Sequence, residues 1–229
     1  MKRFWLPLLL SLCYSAAFAA DAPVDSSRFM EGMSFEALTP NGPTAVKPGQ
    51  IEVIEFYWYG CPHCFALEPN VEAWEKAGLP KDVVFKRVPE SIPDSEFYVD
   101  AQATFTAEQL GVGEQIREPL FNAIHLDDDD ALRTNVDALR TFFGKFGVKP
   151  ADFDAAWNSF GVQTALAKAQ KLEDADNVDR VPTIVIDGKW KTGAGYKLAS
   201  GDYMKPQDIM DCVRFLIDRQ RTAHQVTGK

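Results

Sequence analysis

Two cysteines separated by two residues are the part of this sequence best suited to chemistry. They lie in the segment Cys61-Pro62-His63-Cys64. At this spacing one turn of helix brings the two sulfur atoms together, so a small disulfide between them can close and reopen. The sequence therefore predicts a redox-active disulfide. Cys61 is expected to be the exposed attacking thiol, and Cys64 the resolving thiol on the buried side of the helix.

The flanking residues predict that Cys61 lies at the start of a helix. Residues 51–58 have the apolar pattern of a strand buried on both faces, and Tyr59-Gly60 ends it. Pro62 suits the first position of a helix, where its missing N–H costs nothing. Free N–H groups and the helix dipole favour a thiolate there, and a protonated His63 would add a positive charge. Cys61 is therefore predicted to be a reactive cysteine with a lowered pKa.

A cysteine pair at this spacing can also be half of a zinc site or a structural crosslink. A structural zinc ion needs four ligands, usually completed by a second pair. After residue 19 the other candidates are Cys212, His125 and His224, and no two of them form a pair. We therefore predict no metal site and assign no role to the two histidines. Cys212 lies on the apolar face of a predicted helix, which favours a buried, inert thiol over an intermolecular disulfide.

Charged residues near the cysteines are candidates for tuning the redox pair. Glu55 alternates with apolar residues in what should be a core strand, where a carboxylate is costly unless it is paired or functional. Lys86, on the next predicted strand, is its candidate partner, and the alternative is that Glu55 faces outward at a sheet edge. Glu68 follows Cys64 by one helical turn, so it lies either near the site or on the surface.

The Val181-Pro182 pair begins a later strand, one of the few sheet positions that proline tolerates. The simple interpretation is a trans proline at a strand start. The alternative is a cis bond beside the cysteines, which would leave the backbone of Val181 free to pair with an extended substrate peptide. The spacing alone leaves both open.

The remaining elements predict an α/β fold with a helical block between the halves of its sheet. Strands are predicted at residues 51–58, 83–88, 181–186 and 189–191, and helices at residues 61–77, 97–110, 114–125, 136–146, 150–172 and 206–221. We expect a scaffold made of residues 20–92 and 171–229, with residues 93–170 inserted as an α-helical subdomain.

The first nineteen residues have the pattern of a secretory signal peptide. Lys2 and Arg3 precede an apolar run at residues 4–12, and Ala17-Phe18-Ala19 has the small-residue pattern of a cleavage site. A lipoprotein signal is disfavoured because Leu12, directly before Cys13, is bulkier than the residue that such a cleavage site usually accepts. No second run is apolar and long enough to span a membrane. Cleavage after Ala19 would release a soluble protein outside the cytoplasm.

The charge balance argues against a nucleic-acid partner. The formal net charge is −9, and removal of the signal makes it −11 because two basic residues and no acidic residue are lost. Nucleic-acid binding needs a basic surface. An acidic surface exposed to solvent is expected instead.

Together these features resemble the DsbA family of bacterial periplasmic thiol–disulfide oxidants, within the thioredoxin-like superfamily. The resemblance rests on the signal peptide, the Glu-Phe-Tyr-Trp-Tyr-Gly strand before the CPHC motif, the helical insertion and the later Val-Pro-Thr strand, and it covers residues 46–221. It implies a thioredoxin fold, a cis Val181-Pro182 bond and Cys61 as the nucleophile. It also implies that Glu55, Glu68 and Lys86 match the family's charged residues near the buried cysteine, with Glu55 accepting or passing the Cys64 proton.

The resemblance implies a function as well. Members of this kind donate their disulfide to reduced, newly secreted proteins in the periplasm, with no cofactor beyond the disulfide. A DsbB-type, quinone-linked membrane oxidase then reoxidises them. Arg180 and Thr183, which flank the Val-Pro pair, depart from the family pattern and leave substrate preference open. We expect a monomer, because the insertion already covers much of the sheet.

Three other functions remain open from the sequence. A reductase or disulfide isomerase could share this fold, although the roughly thirty residues before the central strand are too few for a separate dimerisation domain. A peptide-binding chaperone could carry the same disulfide as a structural crosslink. An oxidant serving a single secreted substrate would have the same motifs as a general one.

Overall fold

The computed structural model describes residues 24–92 and 95–227. The predicted signal peptide, residues 1–19, lies outside the described residues. Within those two ranges, no helix has the length and apolar character needed to cross a bilayer.

The described residues form one five-stranded mixed sheet in the order β1-β5-β4-β2-β3. The strands are β1 Glu36–Ala37, β2 Ile51–Tyr57, β3 Val83–Pro89, β4 Thr183–Ile186 and β5 Trp190–Gly193. β2 runs parallel to β3 and antiparallel to β4. Every residue of β2 is buried, which explains why its sequence is almost continuously apolar. The predicted strands are present, whereas the two-residue β1 was not predicted.

Helices cover both faces of the sheet. They are α1 Pro62–Lys76, α2 Glu96–Gln109, α3 Gly113–His125, α4 Ala131–Thr134, α5 Val136–Gly144, α6 Pro150–Trp157, α7 Phe160–Ala175 and α8 Pro206–Thr227. On one face, Leu67 of α1 and Leu216 of α8 pack with Val53 of β2. On the other face, Ala169 of α7 packs with Phe56 of β2. The thioredoxin fold expected from the resemblance is therefore present.

Helices α2 to α7 form the predicted block between β3 and β4. A shared apolar core that includes Phe121, Leu139, Phe143 and Phe153 extends to Tyr57 and to the two active-site cysteines. The predicted helix at 150–172 is two helices, because Ser159 caps α7 by accepting a hydrogen bond from the N–H of Val162 at 3.1 Å. The expected boundary at residue 170 falls inside α7, whose last turns pack on the sheet.

Candidate active site

Cys61 lies at the N-terminus of α1, where the sequence places it. It is the N-cap residue, and Pro62 occupies the first helical turn. The N–H of Cys64 donates to Cys61 Sγ at 3.4 Å. The pKa of Cys61 is lowered to about 6, and the largest cause is the hydrogen bond from the Cys64 thiol. The backbone N–H groups of Cys64 and His63 and the charge of His63 lower it further, whereas burial opposes the shift. This helix end stabilises the Cys61 thiolate.

Cys64 has the opposite character although it lies only one turn away. It is 1% exposed, and Cys61 is itself buried at 5% exposure, so the prediction of an exposed Cys61 thiol was wrong. Burial raises its pKa well above the ordinary value, and the Cys61 sulfur and the charge of Glu55 raise it further. Both cysteines are free thiols in this structure. The two sulfurs therefore differ in charge rather than in exposure: Cys61 favours the thiolate, and Cys64 retains its proton at neutral pH.

The Val181-Pro182 loop lies directly beside Cys61. The Val181-Pro182 bond is cis, as the family resemblance implies, and the Cys61 thiol donates to the carbonyl oxygen of Val181 at 3.5 Å. The carbonyl of Pro182 accepts from the N–H of Ala194 at 3.1 Å. Gly193 lets its own backbone lie close to the Pro182 carbonyl. It has φ +152°, and a Cβ at this position would lie 2.1 Å from the Pro182 oxygen. The loop therefore holds a backbone carbonyl next to the reactive sulfur.

Glu55 is buried beneath the cysteines, but its predicted partner was wrong. Its strand is central and Glu55 is 1% exposed, so the alternative of a sheet-edge position is also wrong. The parallel register pairs Glu55 with Arg87 and Ile54 with Lys86. Because successive strand residues point to opposite faces, Arg87 faces α1 and Lys86 does not.

Arg87 joins three carboxylates under the redox helix. Its guanidinium lies 3.2 Å from Glu55, 3.2 Å from Glu68 and 2.6 Å from Glu75. The contact between Arg87 Nε and Glu55 Oε2 is misaligned for a hydrogen bond, so Oε2 retains an unsatisfied lone pair within the described structure. Glu68 is thus near the site rather than on the surface. Arg87, which the sequence analysis did not single out, is the cation of this cluster.

The buried carboxyl groups hold protons more tightly than exposed ones do. Burial raises the pKa of Glu55 to about 8, and Glu68 adds to the shift, while Arg87 and Arg117 oppose it. Burial also raises the pKa of Glu68, against the opposing charge of Arg87. Since the charge of Glu55 acts on Cys64, a proton on Glu55 and the proton on Cys64 influence each other directly.

Lys86 belongs to a separate cluster on the opposite face of the sheet. Its Nζ lies 3.0 Å from Glu52 Oε1, and both residues act on the charge of Asp176, the C-cap residue of α7. Asp176 is 0% exposed, and neither of its carboxylate oxygens has a hydrogen-bond partner among the described residues. The prediction that Lys86 lies near the buried cysteine is therefore wrong, because the sheet separates the two residues.

The Asp176 cluster predicts a stability that falls as pH rises. Burial, then the charge of Glu52, raises the pKa of Asp176 from 3.8 to about 6, while Lys86 opposes the shift. The folded protein therefore keeps this proton up to about pH 6, whereas the unfolded chain loses it near pH 4. Asp176→Asn should raise the free energy of unfolding at pH 8 by about 2–3 kcal/mol and leave it nearly unchanged at pH 4.

Urea unfolding at the two pH values measures this effect. Asp174→Asn is the matched control, because Asp174 is an exposed acid two residues earlier in the same helix. Equal effects of Asp176→Asn at both pH values would contradict the assignment.

His125 is a site residue that sequence reasoning missed. It is the last residue of α3, as predicted for a helix-end residue, but it is half-buried. Its ring stacks on the Phe65 ring with centroids 4.7 Å apart. Its Nε2 lies 2.7 Å from the Tyr59 carbonyl oxygen. It therefore ties the insertion to the segment that leads into Cys61. No spacing signal links it to that segment, because more than sixty residues separate the two along the chain.

The other singled-out residues lie away from the cysteines or at the surface. His63 is exposed on the first turn of α1. His224 is near Asp187, at 3.4 Å, on α8. Cys212 is fully buried in α8, where burial raises its pKa to about 12, so the predicted inert thiol is confirmed.

The chain is similar to known proteins over most of its length. A family model described as a DSBA-like thioredoxin domain matches residues 52–198. The thiol:disulfide interchange protein DsbA of Burkholderia cepacia is 38% identical over 197 residues, covering 86% of this chain and 89% of that protein. DsbA of Pseudomonas aeruginosa strain PAO1 is 33% identical over 223 residues, covering 97% of this chain and 99% of that protein.

Solved structures agree with the sequence relatives. The crystal structure of Pseudomonas aeruginosa DsbA superposes with a TM-score of 0.75 at 33% identity, covering 86% of this chain and 97% of that one. The segment matched by the family model, residues 52–198, includes the cysteine pair, the helical insertion and the Val181-Pro182 loop. The chain therefore belongs to the DsbA family of thiol–disulfide oxidoreductases.

Proposed function

We propose that the protein oxidises pairs of thiols in reduced, newly secreted proteins by giving up a Cys61–Cys64 disulfide. The observation that carries the proposal is the asymmetry of the pair. One sulfur is stabilised as a thiolate at a helix N-terminus, and the other is sealed beneath it as a thiol. This is the arrangement that makes one sulfur the site of attack and the other the leaving group.

The reaction proceeds in two exchange steps. A substrate thiolate attacks Cys61 Sγ, the bond between the two cysteines breaks, and its electron pair goes to Cys64, which takes a proton. A second thiolate of the substrate then attacks the substrate sulfur of the mixed disulfide and releases Cys61 as a thiolate. The substrate loses two electrons and gains a disulfide, and the enzyme becomes a dithiol.

The direction of exchange follows from the stability of the reduced form. A stabilised Cys61 thiolate is a good leaving group and lowers the free energy of the dithiol state, so the disulfide is readily given up. DsbA is itself the reference example of such an oxidant, with a potential of about −120 mV.

Glu55 is proposed to exchange the proton that Cys64 gains and loses. Burial raises the pKa of its carboxyl to about 8, and its charge acts on Cys64. Arg87 lies against that carboxyl and is itself paired with Glu68. Val181 and Pro182 are proposed to position the substrate, because the Val181 carbonyl adjoins Cys61 and can accept from an extended peptide.

The remaining parts of the proposal concern location and partners. We propose that residues 1–19 direct export and are removed, and that the mature protein works in the periplasm as a monomer. Reduced secreted proteins are its substrates, and a DsbB-type, quinone-linked membrane oxidase restores its disulfide. It needs no cofactor beyond that disulfide.

The equilibrium between the cysteine pair and glutathione tests the proposal. Mature protein would be incubated in defined ratios of reduced and oxidised glutathione, and free thiols trapped and counted. A potential well above about −180 mV is expected, since the disulfide should be easily donated. A value near about −270 mV, typical of thioredoxin, would instead indicate a reductant or a structural disulfide in a binding protein.

A further inference from the structure

Glu90 is an acidic residue at the end of β3, next to the end of β2, and the proposed reaction does not use it. It follows the last residue of β3, and the register pairs Pro89 of β3 with Tyr57 of β2. Its N–H donates to the Tyr57 carbonyl at 2.8 Å. Because parallel strands end at the same edge of a sheet, Glu90 lies beside the segment that leads from Tyr57 to Cys61.

The segment that carries Glu90 is held in place by a second buried acid. Glu173 of α7 accepts from the N–H of Ser91 at 2.8 Å and from its hydroxyl at 2.9 Å. Ser91 and Glu173 are both buried. The segment after β3 is thus fixed to α7, and the position of Glu90 does not depend on the mobility of an exposed loop.

The Glu90 side chain is largely buried, and its carboxylate is not paired. Glu90 is 9% exposed. Among the described residues, none forms a hydrogen bond or ion pair with its carboxylate. A carboxylate left in this state is costly when charged, so the site favours the protonated form.

Two charged groups act on Glu90, and they come from two parts of the fold. α7 contributes Glu173, and the start of α1 contributes Cys61. Burial first, and then the charges of these two residues, raise the pKa of Glu90 to about 7. The charge of Asp100, on α2, acts on Tyr59 and not on Glu90. Among the described side chains, no cation acts on Glu90 to offset these negative groups.

We propose that Glu90 is a positioning residue for the redox reaction, and that its carboxylate takes up a proton when the Cys61–Cys64 disulfide is reduced and releases it on reoxidation. The inference rests on the proposed function, since it needs Cys61 to alternate between a neutral disulfide and a thiolate. A neutral sulfur exerts little effect on the Glu90 charge, whereas a thiolate repels it. Proton binding at Glu90 and reduction of the disulfide therefore favour each other.

The protons and electrons balance without another reactant. Two substrate thiols release two protons and two electrons as they form one disulfide. The electrons reduce the enzyme disulfide, and one proton goes to Cys64. In the pH range where Glu90 is charged beside the disulfide and neutral beside the thiolate, the second proton goes to Glu90. Above that range it goes to water, and the Glu90 charge then destabilises the Cys61 thiolate.

The test compares wild-type protein with Glu90→Gln in the glutathione equilibrium, from about pH 5 to about pH 8.5. At about pH 5 the two should agree within about twofold, because both Glu90 and Cys61 are neutral there. At about pH 8.5 the variant should be more oxidising by about three- to tenfold, the size expected for two separated charges near a protein surface. Glu118→Gln, which removes an exposed acid on α3, controls for net charge.

A second measurement in the unmodified protein guards against a variant that fails to fold. The carboxyl carbon of Glu90 would be followed by NMR through a pH titration of the oxidised and the reduced protein. A higher pKa in the reduced protein is expected. Equal values in the two states, or a Glu90→Gln effect that is the same at both pH values, would overturn the inference. A wild-type potential near that of thioredoxin would instead overturn the proposed function, so the two failures are distinguishable.

Discussion

Replacing Arg87 with methionine should lower the free energy of unfolding by about 3–5 kcal/mol, because it leaves buried carboxylates without their cation. Arg87 contacts Glu55, Glu68 and Glu75, and the first two are buried. Urea unfolding of the reduced protein at about pH 9, where Glu55 is charged, measures the effect. A loss of less than about 1 kcal/mol would mean that the cluster behaves like an exposed ion pair.

A compensated variant separates the uncompensated charge from lost packing. When Glu55→Gln and Glu68→Gln accompany Arg87→Met, the two buried carboxylates are gone together with their cation, and most of the stability should return.

Lys86→Met tests the strand register. It removes a cation from the opposite face, so it should leave the redox potential unchanged while Arg87→Met alters it. A shift in potential with Lys86→Met alone would contradict the register of β2 and β3.

Replacing Cys64 with alanine should turn the protein into a trap that accumulates mixed disulfides through Cys61. In this variant the Cys61 thiolate can still attack a disulfide in a partner, because the helix N-terminus that stabilises it is intact. The attack joins Cys61 to one partner sulfur and releases the other as a thiolate. The variant has no Cys64 thiol to displace the partner, so the mixed disulfide breaks down only when the partner's released thiolate attacks back, and alkylating that thiolate preserves the mixed disulfide. Dithiol oxidation falls to background because no Cys61–Cys64 disulfide can form.

Non-reducing gel electrophoresis after reaction with a disulfide-bonded peptide measures the trapped product. Cys61→Ala is the matched control and should trap little, because the remaining thiol is buried and its pKa is raised. Cys212→Ala should behave as wild type, since that thiol is buried in α8. Equal trapping by Cys61→Ala and Cys64→Ala would contradict the assigned roles. A chaperone with a structural disulfide would keep binding peptide in both variants and trap neither.

The reactive pair could be predicted because its chemistry depends on neighbours along the chain. Cys61, Pro62 and Cys64 fall within one helical turn, so propensity and capping rules are enough to place one sulfur at the helix end. The central strand could be predicted for a similar reason. Burial on both faces leaves a continuous apolar run that is visible in the sequence. The short helix α4 and the two-residue strand β1 carry too few residues for any period to appear.

The partner of Glu55 could not be predicted in the same way. Lys86 and Arg87 are adjacent in the sequence, and both are cations on the strand next to β2. A shift of one residue in strand register moves every side chain to the other face. The choice between the two cations therefore depends on how β2 and β3 pair, which no local pattern records.

The sequence by itself determined the redox pair, the helix that activates it and the α/β scaffold interrupted by helices, because each of these depends on residues close together in the chain. The tertiary structure alone decided which charges face the cysteines. Arg87 comes from a neighbouring strand, His125 from the end of α3, and Glu90 from the segment that Glu173 of α7 fixes in place. Their approach depends on strand register and on the docking of the helical insertion, and these contacts join residues far apart in the sequence.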